Sequence, residues 1–331
     1  MVPFDSGRWR WSAVETRVED HLGRASLFLK GGIATVADTR FADGTIEFDV
    51  SFTGERGFVG GVWRVQDDRN YEEFYLRPHQ SGNPDATQYT PVFNGVSGWQ
   101  LYHGERYAIP VRHRFGEWMR VRILFSGTRA EIHVDGSVLV VDELKRSVEP
   151  GAVGVSAGNG APAHFSNFSF SAAPPLDPGK LEPVPEGVIP SWWVSDPFPE
   201  GAPDPEARSW TRLATESSGL ANLARVNGLM LRKNTVFARK LLLSEREQVK
   251  RLDFGFSDRI RVYLNRRLLF QGDDTYRSRD YRFLGSIGYF DALYLPLRQG
   301  ENELLMAVSE DLGGWGVQAK LEDLSGITLL D

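Results

Sequence analysis

The residues best suited to chemistry crowd into one stretch, Tyr71 to Tyr102. In the run YEEFYLR (71–77) an extended backbone sends alternate side chains to opposite faces. Tyr71, Glu73, Tyr75 and Arg77 then share one face, and Glu72, Phe74 and Leu76 share the other. The first set is polar and aromatic, the second mostly apolar. The segment that follows reads as a long loop and adds His79, Asp85, Gln88, Tyr89, Asn94, Trp99, Gln100, Tyr102 and His103. Aromatic planes bind the C–H faces of a sugar ring while planar polar side chains bind its hydroxyls, so the stretch supplies both halves of a saccharide site. The expected ligand-binding set is Tyr71, Glu73, Tyr75, Arg77, His79, Gln88, Tyr89, Asn94, Trp99, Gln100 and Tyr102. If this surface also turns a substrate over, acid–base work falls to His79, Glu73 or Asp85. A competing reading has the same polar groups satisfying the backbone of their own Pro-, Gly- and Asn-rich loop, with Tyr and Trp as its anchors.

Other groupings carry less. Glycoside cleavage usually needs two carboxylates acting together, and the adjacent Glu72 and Glu73 point to opposite faces. Glu131, His133 and Asp135 alternate onto one strand face with chemistry suited to a divalent ion, a pattern that a solvated strand face also produces. Arg277, Arg279 and Arg282 interleave with Tyr276, Asp280 and Tyr281 in GDDTYRSRDYRFLGSIG. That loop suits an anionic sugar through bidentate arginine contacts, or else orders itself by Asp–Arg pairing. Gly313-Gly314-Trp315-Gly316 is a glycine-rich turn, with Trp315 expected to cap a core. There is no Gly-x-Ser-x-Gly elbow, phosphate-binding loop, dinucleotide fingerprint or His-Glu-x-x-His. No cofactor is expected.

Composition bounds the partners. The chain has 331 residues, 41% hydrophobic and 25% charged, with 38 Lys+Arg against 44 Asp+Glu. The net charge of −6 is shared equally between the halves, so neither has the positive field that nucleic acid demands. No apolar run reaches the roughly 18–20 residues of a membrane span. The start, MVPFDSGRWRW, lacks the pattern of a secretion signal, which fits a cytoplasmic protein or a secreted one with its signal removed. Cysteine is absent, which excludes disulfides, thiol nucleophiles and thiolate metal sites. All six histidines precede residue 171, so histidine chemistry belongs to the first half.

These residues must be positioned by strands. The runs TIEFDVSF (45–52), FVGGVWRV (58–65), WMRVRILFS (118–126), RAEIHVDG (129–136), SVLVVDE (137–143) and GAVGVSA (151–157) are short and alternating or β-branched, and turn residues separate many of them. Asp135-Gly136 between two runs signals a hairpin. VFARKLLL (236–243), QVKRLDFGF (248–256), RIRVYLN (259–265), ALYLPL (292–297), NELLMAVS (302–309) and GVQAKLED (316–323) repeat the style. The segment Ala214–Arg225 is at most a short turn or helix. Ten of the 18 prolines lie between 172 and 206, which favours a semi-rigid extended segment. The expected organisation is all-β: a β-sandwich over 1–171, a Pro-rich linker over 172–188, free or packed as a strap, and a second β-sandwich over 189–331.

On DGTIEFDVSF, RNYEEFYLRPHQSG, GEWMRVRILFSGTRAEIHVDG and GAVGVSAGNGAPAHFSNFSF, the first domain resembles the concanavalin-A-like lectin/glucanase jelly rolls, nearest to the 3-keto-disaccharide hydrolase or family-16-like group. On VFARKLLL, LDFGFSDRIRVYLNRRLLFQG and LPLRQGENELLMAVSEDLGGWG, the second resembles galactose-binding-like sandwiches, with Asn265-Arg266 where relatives often have Asn-Gly. The first resemblance implies sugar binding on a concave sheet face. The second implies a possible structural calcium, for which Asp273, Asp274 and Asp280 are the candidates. Family-16 enzymes carry Glu-x-Asp-x-Glu on one strand. Here Glu47-Phe48-Asp49-Val50-Ser51 lacks the last carboxylate, and an exposed strand face explains Glu47 and Asp49 better than catalysis. Three functions follow: carbohydrate recognition through the Tyr71–Tyr102 surface, glycoside cleavage there, including on 3-keto-glycosides, or a non-catalytic scaffold that docks a partner.

Overall fold

Residues that alternate β-branched and aromatic side chains with polar ones favour a pleated, half-buried backbone, and nearly every such run here is a strand. A computed structural model describes residues 1–172, 175–180, 183–201, 205, 208–280 and 283–331. It is all-β, built from antiparallel sheets, with two short 3-10 turns at Pro78–Gln80 and Leu223–Arg225 and no α-helix among the described residues. The chain divides into two compact units, Met1–Val92 with Tyr102–Leu181, and Phe93–Leu101 with Glu182–Asp331.

In the first unit the strands are β1 (Trp9–His21), β2 (Arg24–Val36), β3 (Gly44–Phe52), β4 (Val59–Asp67), β5 (Asn70–Leu76) and β6 (Thr87–Phe93). The two-residue β7 (Val96–Ser97) falls in the segment that groups with the second unit. The first unit continues with β8 (Met119–Ser126), β9 (Arg129–Val134), β10 (Ser137–Val141), β11 (Ala152–Ala157) and β12 (Ala163–Ser171). The order is β10-β9-β8-β3-β12-β2-β11-β4-β5-β6, with β1 against β2. Strand β2 pairs with β12 through Leu27–Leu29 and with β11 through Gly32–Thr35. The change of partner falls at Gly31 and Gly32, whose φ of 64° and 159° suit glycine. The sheet thereby folds over itself: a Cβ on Gly61 of β4 would meet Ile46, Phe48 and Ile123 of β3 and β8. Between the layers lie Ala34, Trp63, Phe74 and Val155 from one side and Phe48, Val50, Val121 and Ile132 from the other. Asp135 and Gly136, both at positive φ, make the expected β9–β10 hairpin.

The second unit holds β13 (Ser191–Ser195), β14 (Trp210–Ala214), β15 (Leu220–Asn222), β16 (Thr235–Ser244), β17 (Gln248–Ser257), β18 (Arg259–Leu264) and β19 (Arg267–Asp273). It ends with β20 (Asp291–Leu297), β21 (Gly300–Ser309), β22 (Gly316–Leu321) and β23 (Ile327–Leu330). One sheet runs β14-β13-β16-β21-β18-β19, with β23 beside β16, and the other runs β15-β22-β17-β20. Ile260, Val262, Met306 and Val308 of the first sheet meet Leu252, Phe254, Val317 and Ala319 of the second. Trp315 is fully buried in that core and donates to the Val308 carbonyl at 3.0 Å. The Asn265-Arg266 turn keeps both residues at positive φ, 48° and 67°, so arginine occupies a position that glycine would take without strain.

The units divide differently from the expected domains. The second unit runs from Glu182 rather than 189, and it also takes in Phe93–Leu101, because Val96 packs into its core and Gln100 hydrogen-bonds there. Of the expected linker, 173–174 and 181–182 lie outside the described residues. Within it, the Asp177 carbonyl accepts from Arg129 Nη1 at 3.3 Å and Val188 bridges Lys320.

Candidate functional site

Strand β5 divides its side chains as its sequence dictates. Phe74 and Leu76 enter the first core, and Glu72 lies on that side too, accepting from Tyr89 Oη at 2.6 Å and from the Arg146 amide at 3.1 Å. Burial holds the Glu72 carboxyl above its usual range. On the opposite face, Tyr75 Oη donates to Gln88 Oε1 at 3.1 Å, and Arg77 Nη2 reaches the same oxygen. Arg77 Nη1 pairs with Asp85 at 2.7 Å. Phe58 sets its ring edge-on to Tyr75 and His79. The set is a closed polar network rather than an open groove: Glu73, Tyr75, Arg77 and Gln88 are 9%, 4%, 6% and 2% exposed. Burial pushes the Glu73 carboxyl up to about 7 and the Tyr75 phenol up to about 12, raises Tyr71, and lowers His79.

Several expected ligand-binding residues leave this face. Thr87–Phe93 is strand β6 rather than loop, in register with β5 through Tyr75↔Gln88 and Phe74↔Tyr89. Alternation therefore sends Tyr89 into the core. Tyr102 is also buried, edge-on to Tyr107 and beneath the Lys145 ammonium. Asn94, Trp99 and Gln100 belong to the second unit. There Asn94 donates to the Ala224 carbonyl at 2.8 Å, Trp99 sets its ring edge-on to Tyr276, and the fully buried Gln100 donates to the Leu284 carbonyl at 2.9 Å. His103 is exposed. Of the acid–base candidates, Asp85 is committed to Arg77, and His79 keeps a buried Nδ1 with no hydrogen-bond partner among the described residues.

The remaining acidic candidates form ion pairs. Glu47 and Asp49 build a charge ladder on β3 with Arg120, Arg122 and Arg24. Glu131 pairs with Arg129, Asp135 with Arg114, and Asp274 with Arg279, which also reaches Asp291. Burial pushes Asp274 up to about 7. Asp273 accepts from the Thr275 amide and hydroxyl. No group of three His, Asp or Glu suited to a metal ion occurs among the described residues. Tyr281 and Arg282 lie outside them.

The second unit carries a face that sequence reasoning passed over. In RIRVYL the core takes Ile260, Val262 and Leu264, so Arg259, Arg261 and Tyr263 point the other way. Register aligns each with its neighbours: Arg259↔Ser309↔Thr235, Arg261↔Ala307↔Phe237, and Tyr263↔Leu305↔Arg239. Across the edges, Trp193 adjoins Arg239, and Gln271 adjoins Arg261. Phe198, Phe237, Leu305 and Ala307 form a buried floor on which Trp210 and Tyr263 pack half-exposed. A cavity of about 190 Å³ opens on this face, lined by Phe198, Glu200, Arg259, Arg261, Tyr263 and Gln271 among others. Arg259 is clamped by Glu200 at 2.7 Å and by Asp311 at 3.0 Å, and these hydrogen bonds hold its pKa above the ordinary arginine value. Arg239 lies 4.1 Å over the Trp210 ring, its buried Nε without a hydrogen-bond partner among the described residues. The signal was legible in outline. The alternating R-R-Y of β18 and F-R of β16 present arginine and aromatic side chains on one face, but aligning them requires the β16–β21–β18 register, which pairs residues roughly 40–75 apart in sequence.

No protein-family model matches the sequence, and no curated protein matches it either. Among solved structures, a carbohydrate binding module from Bacillus subtilis is similar at 17% identity and a TM-score of 0.38, over 50% of this chain and 96% of that one. A putative glycosyl hydrolase from Parabacteroides distasonis is similar at 15% identity and a TM-score of 0.36, over 51% of this chain and 89% of its own. A Bacillus subtilis protein of unknown function with a galectin-like fold is similar at 8% identity and a TM-score of 0.38, over 53% of this chain and 95% of its own.

Proposed function

We propose that the chain is a carbohydrate-recognition protein that binds glycan on the outer face of the second sandwich, across β16, β21 and β18. The observation that carries this reading is the 190 Å³ cavity, lined by Phe198 and Tyr263 with Arg261 and Gln271 beside them. A ring of sugar size can lie against the half-exposed Tyr263 plane, with the buried Phe198 beneath it as floor, while guanidinium and amide groups meet its hydroxyls. Hydrogen-bonded strands hold these side chains, so little ordering cost falls on binding. The first-sandwich face has suitable residue types, but they are spent on one another and buried. The assignment therefore moves from the Tyr71–Tyr102 stretch to the second unit.

The test is a glycan array, with product analysis on every hit and titration of the parent and Tyr263→Ala. Loss of the aromatic plane is expected to weaken binding tenfold or more, about 1.4 kcal/mol. The thermal transition should be nearly unchanged, since Tyr263 is only half-buried. Unchanged affinity in Tyr263→Ala, or no hit on the array, would reject the site.

A further inference from the structure

Guanidinium groups that lose water need a counter-charge or strong acceptors. The second unit follows that rule at most of its partly buried arginines. Arg208 pairs with Asp196, Arg225 with Glu216, Arg259 with Glu200 and Asp311, and Arg279 with Asp274 and Asp291. Arg239 and Arg261 are half-buried on the face just described, and neither has a carboxylate partner among the described residues. The rest of Arg239 is well placed, stacked on Trp210, while its Nε is buried without an acceptor. Arg261 borders the cavity, and the residue opposite it on β21 is the small Ala307, which leaves space above the sheet. The two arginines stand diagonally across β21, on its flanking strands β16 and β18.

The charge along this face is graded. At one end Glu200, Asp311 and Asp273 surround the single cation of Arg259. Towards the other end Arg261 and Arg239 are uncompensated. A neutral sugar would leave both ends unanswered, whereas a carboxylate placed at Arg261 would receive the planar two-point contact that guanidinium offers.

Resting on the carbohydrate reading above, we infer that the ligand is an acidic saccharide whose uronate carboxylate binds at Arg261 on the cavity rim, with Arg239 beyond the lining adding positive potential, and whose uncharged part lies on Tyr263. The acidic end then sets direction by repelling a second carboxylate.

The probes are oligogalacturonate and oligomannuronate of three to five sugars, each beside its carboxyl-reduced neutral counterpart, titrated into the full chain by calorimetry. Parent, Arg261→Gln, Arg261→Lys and Tyr263→Ala are compared. At least one acid form should bind the parent tenfold or more tighter than its reduced partner, and this advantage should shrink as salt is raised. Arg261→Gln should bring the acid-to-neutral ratio close to one, weakening the acid form far more than the neutral form. Arg261→Lys should recover only part of the ratio, because an ammonium keeps the charge but not the fork. A parent that binds acid and reduced forms equally would overturn the inference and leave carbohydrate binding standing. Acid selectivity that survives Arg261→Gln would place the carboxylate elsewhere and also overturn it. Binding of all forms that is indifferent to Tyr263→Ala would instead overturn the site itself. Thermal unfolding of each variant checks that the fold is kept.

Discussion

Glu73 shows what one buried carboxyl does to the first unit. No cation among the described residues pairs with it, and burial pushes it up to about 7. An unfolded chain releases that proton near pH 4.5. Between pH 4.5 and 7 the folded state therefore holds more protons than the unfolded one, and stability falls as pH rises through this window and levels above it. Glu73→Gln removes the ionisation and keeps the shape. At pH 8 it should be more stable than the parent, by up to about 3 kcal/mol, while at pH 4 the two should nearly coincide. Urea unfolding at both pH values reads the difference, and an equal offset at each would mean that the carboxyl is not buried as described. The alternation in YEEFYLR disclosed correctly which side chains share a face with Glu73. It could not disclose whether that face was open, because exposure depends on what other segments lay over it, and those are remote in sequence.

At the scale of elements, strands that alternate clearly were legible, among them β3, β5, β8, β9, β18 and β21. Three were not. Strand β1 is an edge strand whose side chains are mostly exposed or half-exposed, so it lacks the apolar alternation that marks a buried face. Strand β2 breaks its pattern at Gly31-Gly32, where it changes layers. Strand β6 looked like loop because Gln88, Thr90 and Pro91 dilute it, yet pairing with β5 overrides weak propensity. That error made a loop of a strand and so put Gln88 and Tyr89 on one surface. Close strand approach supplies a direct check. A Cβ on Gly60 would lie 1.9 Å from the Phe74 carbonyl oxygen, whereas one on Gly7 meets nothing within 4 Å. Backbone cannot rotate away as a side chain can, so Gly60→Ala should cost about 3 kcal/mol or more or prevent folding. Gly7→Ala should stay within about 0.5 kcal/mol of the parent. Thermal melts of the two variants should separate clearly, and coincident melts would refute the β4–β5 register.

For the whole molecule, the second unit is discontinuous in sequence. Its core includes Val96, and Gln100 is fully buried among hydrogen bonds to the 284–287 and 313 backbone. Lys180 is exposed, and trypsin is expected to cut after it. The halves 1–180 and 181–331 should then elute together in native gel filtration and separate only in denaturant, because Phe93–Leu101 remains part of the second fold. Separation without denaturant would show that this segment is not integral to it. The two-sandwich organisation could be read from composition and strand style, but this crossing of the boundary could not, since nothing local to FNGVSGWQL marks where its partners lie. The most direct measurement of the central claim is a hydrogen-exchange footprint with and without a saturating glycan hit. Protection should rise in peptides covering 235–239, 259–263 and 271–275 and stay unchanged over 71–77 and 87–92. Protection confined to 71–77 and 87–92, with none on β16, β18 or β19, would return the glycan site to the first sandwich and contradict the account.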